Sequence, residues 1–256
     1  MRKRKRMSTG RAVLAVATAA VLGGLAAPAA QADGWGDTVI TKVAVGNVAV
    51  GTTQAKTFQV SVTASDDSGI KGADMYLEGP SYGYLQPTGA VRCVESSADA
   101  TTSTCTGTFT VDPRVDFIDN SPAGTWYVNA WIDANDDDYV NADKAGSFAM
   151  QRYSKLTVNA SPEPVTKGKT VTVTGVLTRA NWETGSYAGY TVQPVKLEFR
   201  KKSSDTYTAV KTVKSGSGGA LKATVTATQD GWFRWNFAGT STTPPVKASG
   251  DYVDVR

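Results

Sequence analysis

Histidine is absent from all 256 residues, and cysteine occurs only twice. The first absence removes Ser-His-Asp and Cys-His nucleophile systems, and with them His-ligated zinc. The second leaves the two thiols with no further thiol or histidine to complete a metal or redox site. No phosphate-binding or dinucleotide-binding glycine fingerprint occurs, and Gly216-Ser217-Gly218-Gly219 reads as a turn joining strands. Ser68-Gly69-Ile70-Lys71 matches S-x-x-K, but it follows a strand in a turn and lacks the companion motifs of that enzyme class. A pair of carboxylates could run a glycosidase, yet two small sandwiches imply no open cleft for one. The expectation is a protein that is not an enzyme.

Long apolar runs are also scarce: nothing after Asp33 approaches a membrane span. Before it, Arg2, Lys3, Arg4, Lys5, Arg6 and Arg11 precede the Ala-rich stretch Ala12–Ala26, and Ala30-Gln31-Ala32 has the small-x-small pattern of a cleavage site. Residues 1–32 therefore read as a signal peptide. No cysteine stands there to take a lipid, and the ending GDYVDVR lacks a wall-sorting pattern, so release to the exterior is expected, with no membrane attachment after cleavage.

Removing that segment reverses the net charge. Of 27 Lys and Arg, six lie in residues 1–32, which hold none of the 23 acids, leaving 21 against 23 and a net of −2. The basic balance of the whole chain therefore gives no reason to expect a nucleic-acid partner. Residues 33–152 carry 16 acids and 7 bases, and residues 153–256 carry 7 acids and 14 bases. Opposite signs in the two halves predict two separately folded domains, 33–152 acidic and 153–256 basic. Cys93 and Cys105, twelve apart and symmetric about Asp99, fit cross-strand partners on a hairpin turning at Ala98-Asp99-Ala100. In an oxidising destination they are expected to form a disulfide.

Alternation of period two recurs, without a convincing helical period. Phe58, Val60, Val62 and Ala64 share one face of their segment, and Trp126, Val128, Ala130 and Ile132 share another. Val171, Val173, Gly175 and Leu177, then Val195, Leu197 and Phe199, then Phe233, Trp235 and Phe237 repeat the pattern. Lys196, Glu198 and Arg200 fall on a wet face. One buried and one wet face predict antiparallel strands, and the turn spacing predicts an all-β chain of two tandem sandwiches.

Particular segments add a resemblance. DDSGI, PAGTWYVNAWIDAND and PVKLEFRKK…GALKATVTATQDGWFRWNFAGT resemble bacterial immunoglobulin-like modules. Nearly all of residues 33–256, most strongly 154–256, is similar to secreted two-domain proteins of filamentous Gram-positive bacteria commonly labelled calcium-binding. The resemblance implies a β-sandwich fold and a calcium site.

The residues supply a place for that site in WIDANDDDYVNADKAG, residues 131–146. Asp133, Asn135 and Asp137 have the one-three-five spacing of calcium loops, with Tyr139 at seven and Asn141 at nine. Asp138 replaces the glycine at six and Lys144 the glutamate at twelve, so this is no EF-hand and further oxygens must come from elsewhere. Asp66 and Asp67 are the expected source, because the loops after the second and sixth strands of an immunoglobulin-like sandwich share one end. The competing reading is a solvated acidic loop. Trp131 and Trp232 face outward and are candidate ligand-contact aromatics, against the plainer alternative that neighbours cover them. With the basic surface of Lys196, Arg200, Lys201, Lys202, Lys211 and Lys214, they give a second functional reading: a module binding carbohydrate, a cell-wall polymer or another surface protein without a metal.

Overall fold

The computed structural model describes residues 31–256; the signal-peptide expectation for residues 1–30 lies outside them. Ten strands make the first sandwich: β1 (Gln31–Trp35), β2 (Val39–Ala44), β3 (Val48–Val50), β4 (Lys56–Ser65), β5 (Ile70–Glu78), β6 (Tyr84–Leu85), β7 (Arg92–Ser96), β8 (Asp99–Val111), β9 (Gly124–Ala134) and β10 (Tyr139–Arg152). One layer runs β2-β4-β8-β7, and the other runs β1-β10-β9-β5-β6, with β3 parallel to β10. Seven of these strands, β2, β4, β5, β7, β8, β9 and β10, follow the immunoglobulin order, four in the first layer and three in the second. Gln31 and Ala32, which the sequence puts at the cleavage site, pair with Asp143 and Ala142.

Alternation decides what each strand buries. Val60, Val62, Phe109, Leu77, Trp126, Val128 and Ile132 are fully buried between the layers, each worth about 1.5–3 kcal/mol on transfer grounds. Trp126 satisfies its indole N–H on the Pro122 carbonyl at 2.7 Å. It also lies against Gly79, where a Cβ would fall 2.2 Å from the ring, so this position needs glycine.

Cys93 and Cys105 form the disulfide and face each other across β7 and β8. The hairpin turns one residue earlier than the symmetry about Asp99 suggests, because Ser96 pairs with Asp99 after a register shift at Glu95. Asp99 then opens β8 by accepting hydrogen bonds from Thr101 and Thr102.

The second half adds β11 (Ser154–Leu156), β12 (Asn159–Ser161), β13 (Thr170–Asn181), β14 (Ser186–Gly189), β15 (Pro194–Lys201), β16 (Thr208–Lys214), β17 (Ala220–Thr226), β18 (Gly231–Phe237), β19 (Val246–Lys247) and β20 (Asp251–Val253). β13 gathers β11, β12, β14 and β17 into one layer, and β16-β15-β18-β19, with β20 on β18, forms the other. Val171, Val173, Leu197, Leu221, Trp235 and Phe237 fill the space between. Glu198 departs from its expected wet position, being 8 % exposed. Arg234 Nε and Asn236 Nδ2 each donate to its carboxylate at 2.7 Å, which makes that burial tolerable.

Among the described residues, no ladder joins strands of the two halves. The join is made by side chains and loops. Ala180 and Trp182, at the end of β13 and just beyond it, belong to the core of the first sandwich. Trp182 stacks on Phe117 and donates its indole N–H to the Gly51 carbonyl at 3.0 Å. Asn120 accepts from the Trp182 backbone at 2.9 Å and donates to Asn181 Oδ1 at 2.8 Å.

Candidate cation site at the loop pole

Three connectors meet at one end of the first sandwich. They are the β1–β2 turn (Gly36, Asp37, Thr38), the β4–β5 loop (Asp66–Gly69) and the β9–β10 loop (Asn135–Asp138). One backbone and one side-chain hydrogen bond weld the last two: Asn135 N–H donates to the Gly69 carbonyl at 3.0 Å, and Asn135 Nδ2 to the Ser68 carbonyl at 2.9 Å. The first is pinned by Asp37 N–H donating to Asp138 Oδ2 at 3.1 Å. Gly36, at φ +83°, lets the turn come this close, since a Cβ there would fall 1.5 Å from the same oxygen.

Asp66 is the hub. It is 3 % exposed, and its Oδ1 accepts from both the N–H and the hydroxyl of Ser68, at 2.9 and 2.6 Å. Its Oδ2 accepts from the Thr38 hydroxyl at 2.6 Å. Burial pushes the Asp66 carboxyl up, but the donors from Ser68 and Thr38 outweigh it and hold it below the ordinary carboxylate range. Asp37 goes the other way. Desolvation, followed by the charges of Asp67, Asp66 and Asp138, raises it above that range.

Oxygens of Asp37, Asp66 and Asp138 lie within 4.8 Å of one another, as do those of Asp66, Asp67 and Asp136. Asp66 is common to both groups. The remaining expected ligands have other partners. Asp133 accepts the Trp131 indole N–H at 2.7 Å. Asn135 bridges the loops as described. Asp137, at φ +70°, is turned out to Lys71 Nζ at 3.3 Å. Of the two ends of the S-x-x-K match, Lys71 thus pairs with Asp137 while the Ser68 hydroxyl donates to Asp66. Asp37, Asp136 and Asp138 are not among the ligands expected from the sequence. Asp136 and Asp138 lay inside the acidic run that pointed to them, whereas Asp37 has no spacing signal.

The chain matches no protein-family model and no curated protein. Among solved structures it is similar to the D00-D0 domain of intimin, at 10% identity and TM-score 0.28, covering 84% of this chain and 99% of that one. It is similar to Salmonella alpha-2-macroglobulin reacted with methylamine, at 11% identity and TM-score 0.33, covering 90% of this chain but 16% of the macroglobulin. A third is the three N-terminal domains of the bacteriophage RB49 highly immunogenic outer capsid protein, at 10% identity, TM-score 0.33, and 89% and 70% coverage.

The donor set at the pole is all oxygen and mostly carboxylate, which is the chemistry of a hard divalent cation. Asp66 Oδ1 is filled by its two bonds, while Oδ2 keeps one lone pair, so Asp66 could give a cation a single oxygen. Asp67 and Asp136 are exposed, and Asp136 Oδ1 accepts the Asp138 N–H at 3.2 Å, leaving its other oxygen to close over an ion.

The two outward tryptophans have neighbours. Trp131 is 38 % exposed and stacks on Tyr139, with centroids 4.8 Å apart and planes 4° apart. Trp232 lies under the Arg200 guanidinium at 3.8 Å and beside Tyr252. Trp35, not anticipated from the sequence, is 72 % exposed and pairs across β1–β10 with Tyr139.

Proposed function

We propose that this is an exported, non-catalytic protein whose first sandwich binds calcium at its loop pole. The observation that carries the reading is the sharing of Asp66 between two carboxylate groups drawn from three separate connectors. Asp66, Asp37, Asp67, Asp136 and Asp138 would hold the ion, with Asp133, Asn135 and Asp137 ordering the loop around it. The cation supplies positive charge where carboxylates crowd, and so fixes three connectors that otherwise repel. The disulfide is in keeping with an oxidising exterior.

A ligand that binds only the folded form raises stability by about 2.7 kcal/mol at roughly a hundredfold excess over its dissociation constant. For a chain of this size that is a rise in melting temperature of about 5 to 10 °C. Melting the purified protein in calcium, magnesium and chelator tests this, with Asp67→Asn/Asp136→Asn as the control. Identical melting temperatures in all three conditions would remove the proposal.

The non-metal reading draws support from Trp35, exposed next to Tyr139 and Trp131 on one sheet face. Such a face would stack on sugar rings of a wall polysaccharide. Retention on insoluble polysaccharide in the presence of chelator, lost in Trp35→Ala, is the result that would favour it.

A further inference from the structure

Buried charges in proteins are ordinarily paired, because desolvating them alone is costly. The joint between the sandwiches holds one buried and one half-buried guanidinium that are not. Arg152, the last residue of β10, is 8 % exposed, and Arg179 on β13 is half-buried. Neither forms an ion pair among the described residues.

Both are tied to the same neighbourhood. Arg152 donates Nε to the Ala180 carbonyl at 2.6 Å, next to Arg179, and its backbone N–H to the Thr242 carbonyl at 2.9 Å. Arg179 donates Nη1 to Thr243 Oγ1 at 3.3 Å and lies 3.8 Å over the Tyr190 ring. Tyr190 and Thr240 bring their hydroxyls within 3.5 Å of each other. Burial, together with repulsion from Arg179, pushes the Arg152 guanidinium down to about 10. Two like charges are thus held together against a turn rich in threonine, with no carboxylate to offset them.

We propose that Arg152 and Arg179 form a binding site for a small oxyanion, a phosphate or sulfate group, seated at the interdomain joint against Thr240–Thr243. The guanidinium fork matches such oxygens two at a time. Thr243 Oγ1 accepts from Arg179 and so ties that guanidinium to the turn. With Arg152 so little exposed, the site takes a free ion or the terminal group of a larger molecule. An anion there bridges the last strand of the first sandwich to the long strand of the second, and it is independent of the cation at the far pole.

The test is thermal melting of the purified protein in chloride, then with inorganic phosphate or glycerol phosphate at matched ionic strength, for the parent and Arg179→Gln. The parent should gain about 5 to 10 °C at roughly a hundredfold excess over the dissociation constant, saturably. Arg179→Gln should lose that gain, whatever its own melting temperature in chloride, where a relieved repulsion offsets the lost contacts to Tyr190 and Thr243. Phosphate salts also stabilise proteins by exclusion from their surfaces, so an equal gain in Arg179→Gln overturns the proposal, as does phosphate behaving like chloride. A gain from inorganic phosphate alone supports a free ion as the ligand, and a gain from both supports a terminal phosphate group. Phosphorus NMR of the mixtures, with line broadening in the parent only, gives a second readout should the variant fold poorly.

Discussion

The ring of Trp182 stacks on that of Phe117, with centroids 4.3 Å apart and planes at 27°, although the two residues belong to different sandwiches. The second domain thereby lends a side chain to the core of the first, and Trp182 is only 4 % exposed there. Replacing it with alanine should cost about 3–5 kcal/mol, the usual range for a large buried aromatic. Calorimetry should show one cooperative transition for the parent. For Trp182→Ala the expected trace has two transitions, the lower belonging to the first sandwich.

Asp66 makes the first sandwich sensitive to acid. Its carboxyl is held below the ordinary value in the folded state, so its contribution is present above the unfolded value near 3.9 and fades as pH falls through the folded one. Asp66→Asn can keep the Ser68 and Thr38 contacts and should flatten this part of the pH–stability curve. Asp66→Ala strands those donors and should cost about 2 kcal/mol or more at neutral pH. Urea midpoints measured from pH 3 to 7 separate the two variants.

Asp37 is raised, the reverse case. Its ionised form is disfavoured by folding, so its charge weakens the fold above its folded pKa and is relieved as pH drops through it. Without a divalent cation, Asp37→Asn should therefore melt higher than the parent at pH 7. Calcium should reverse the order, because the carboxylate then has a partner.

The disulfide closes a loop of 12 residues, and losing a loop of that size costs about 3 kcal/mol in the chain-entropy model. Cys93→Ser/Cys105→Ser should lower the denaturant midpoint by the corresponding amount. Reductant should bring the parent to the same midpoint.

Removing Arg234 leaves Glu198 charged and covered. Burial raises the Glu198 carboxyl, while Asn236 and Arg234 outweigh that and hold it low. Arg234→Ala should cost about 2–3 kcal/mol, between the values for exposed and buried pairs, and most of the loss should disappear when Glu198→Gln is added.

Alternation made the strands and their inner faces legible, because a half-buried sheet imposes period two on any sequence that forms it. The same reading placed the two acidic loops after the second and sixth of the seven strands in immunoglobulin order, here β4 and β9. What it could not resolve was which oxygens meet. Asp133 lies within β9, where the strand aims it along the outer sheet face toward Trp131, and Asp137 sits at a positive φ that turns it to Lys71. Asp37 and Trp35 lie in a five-residue strand and its turn, too short to carry a period. Trp182 sits in NWETG, which has the composition of an exposed turn, and only the packing of two domains reveals it as core.

Direct binding of calcium tests the central claim most sharply. Isothermal titration of calcium into chelator-stripped protein should give a saturable heat with about one ion per chain, as expected where a single Asp66 serves both carboxylate groups. That heat should vanish in Asp67→Asn/Asp136→Asn. Heats no larger than dilution, or an unchanged isotherm in that variant, would contradict the account.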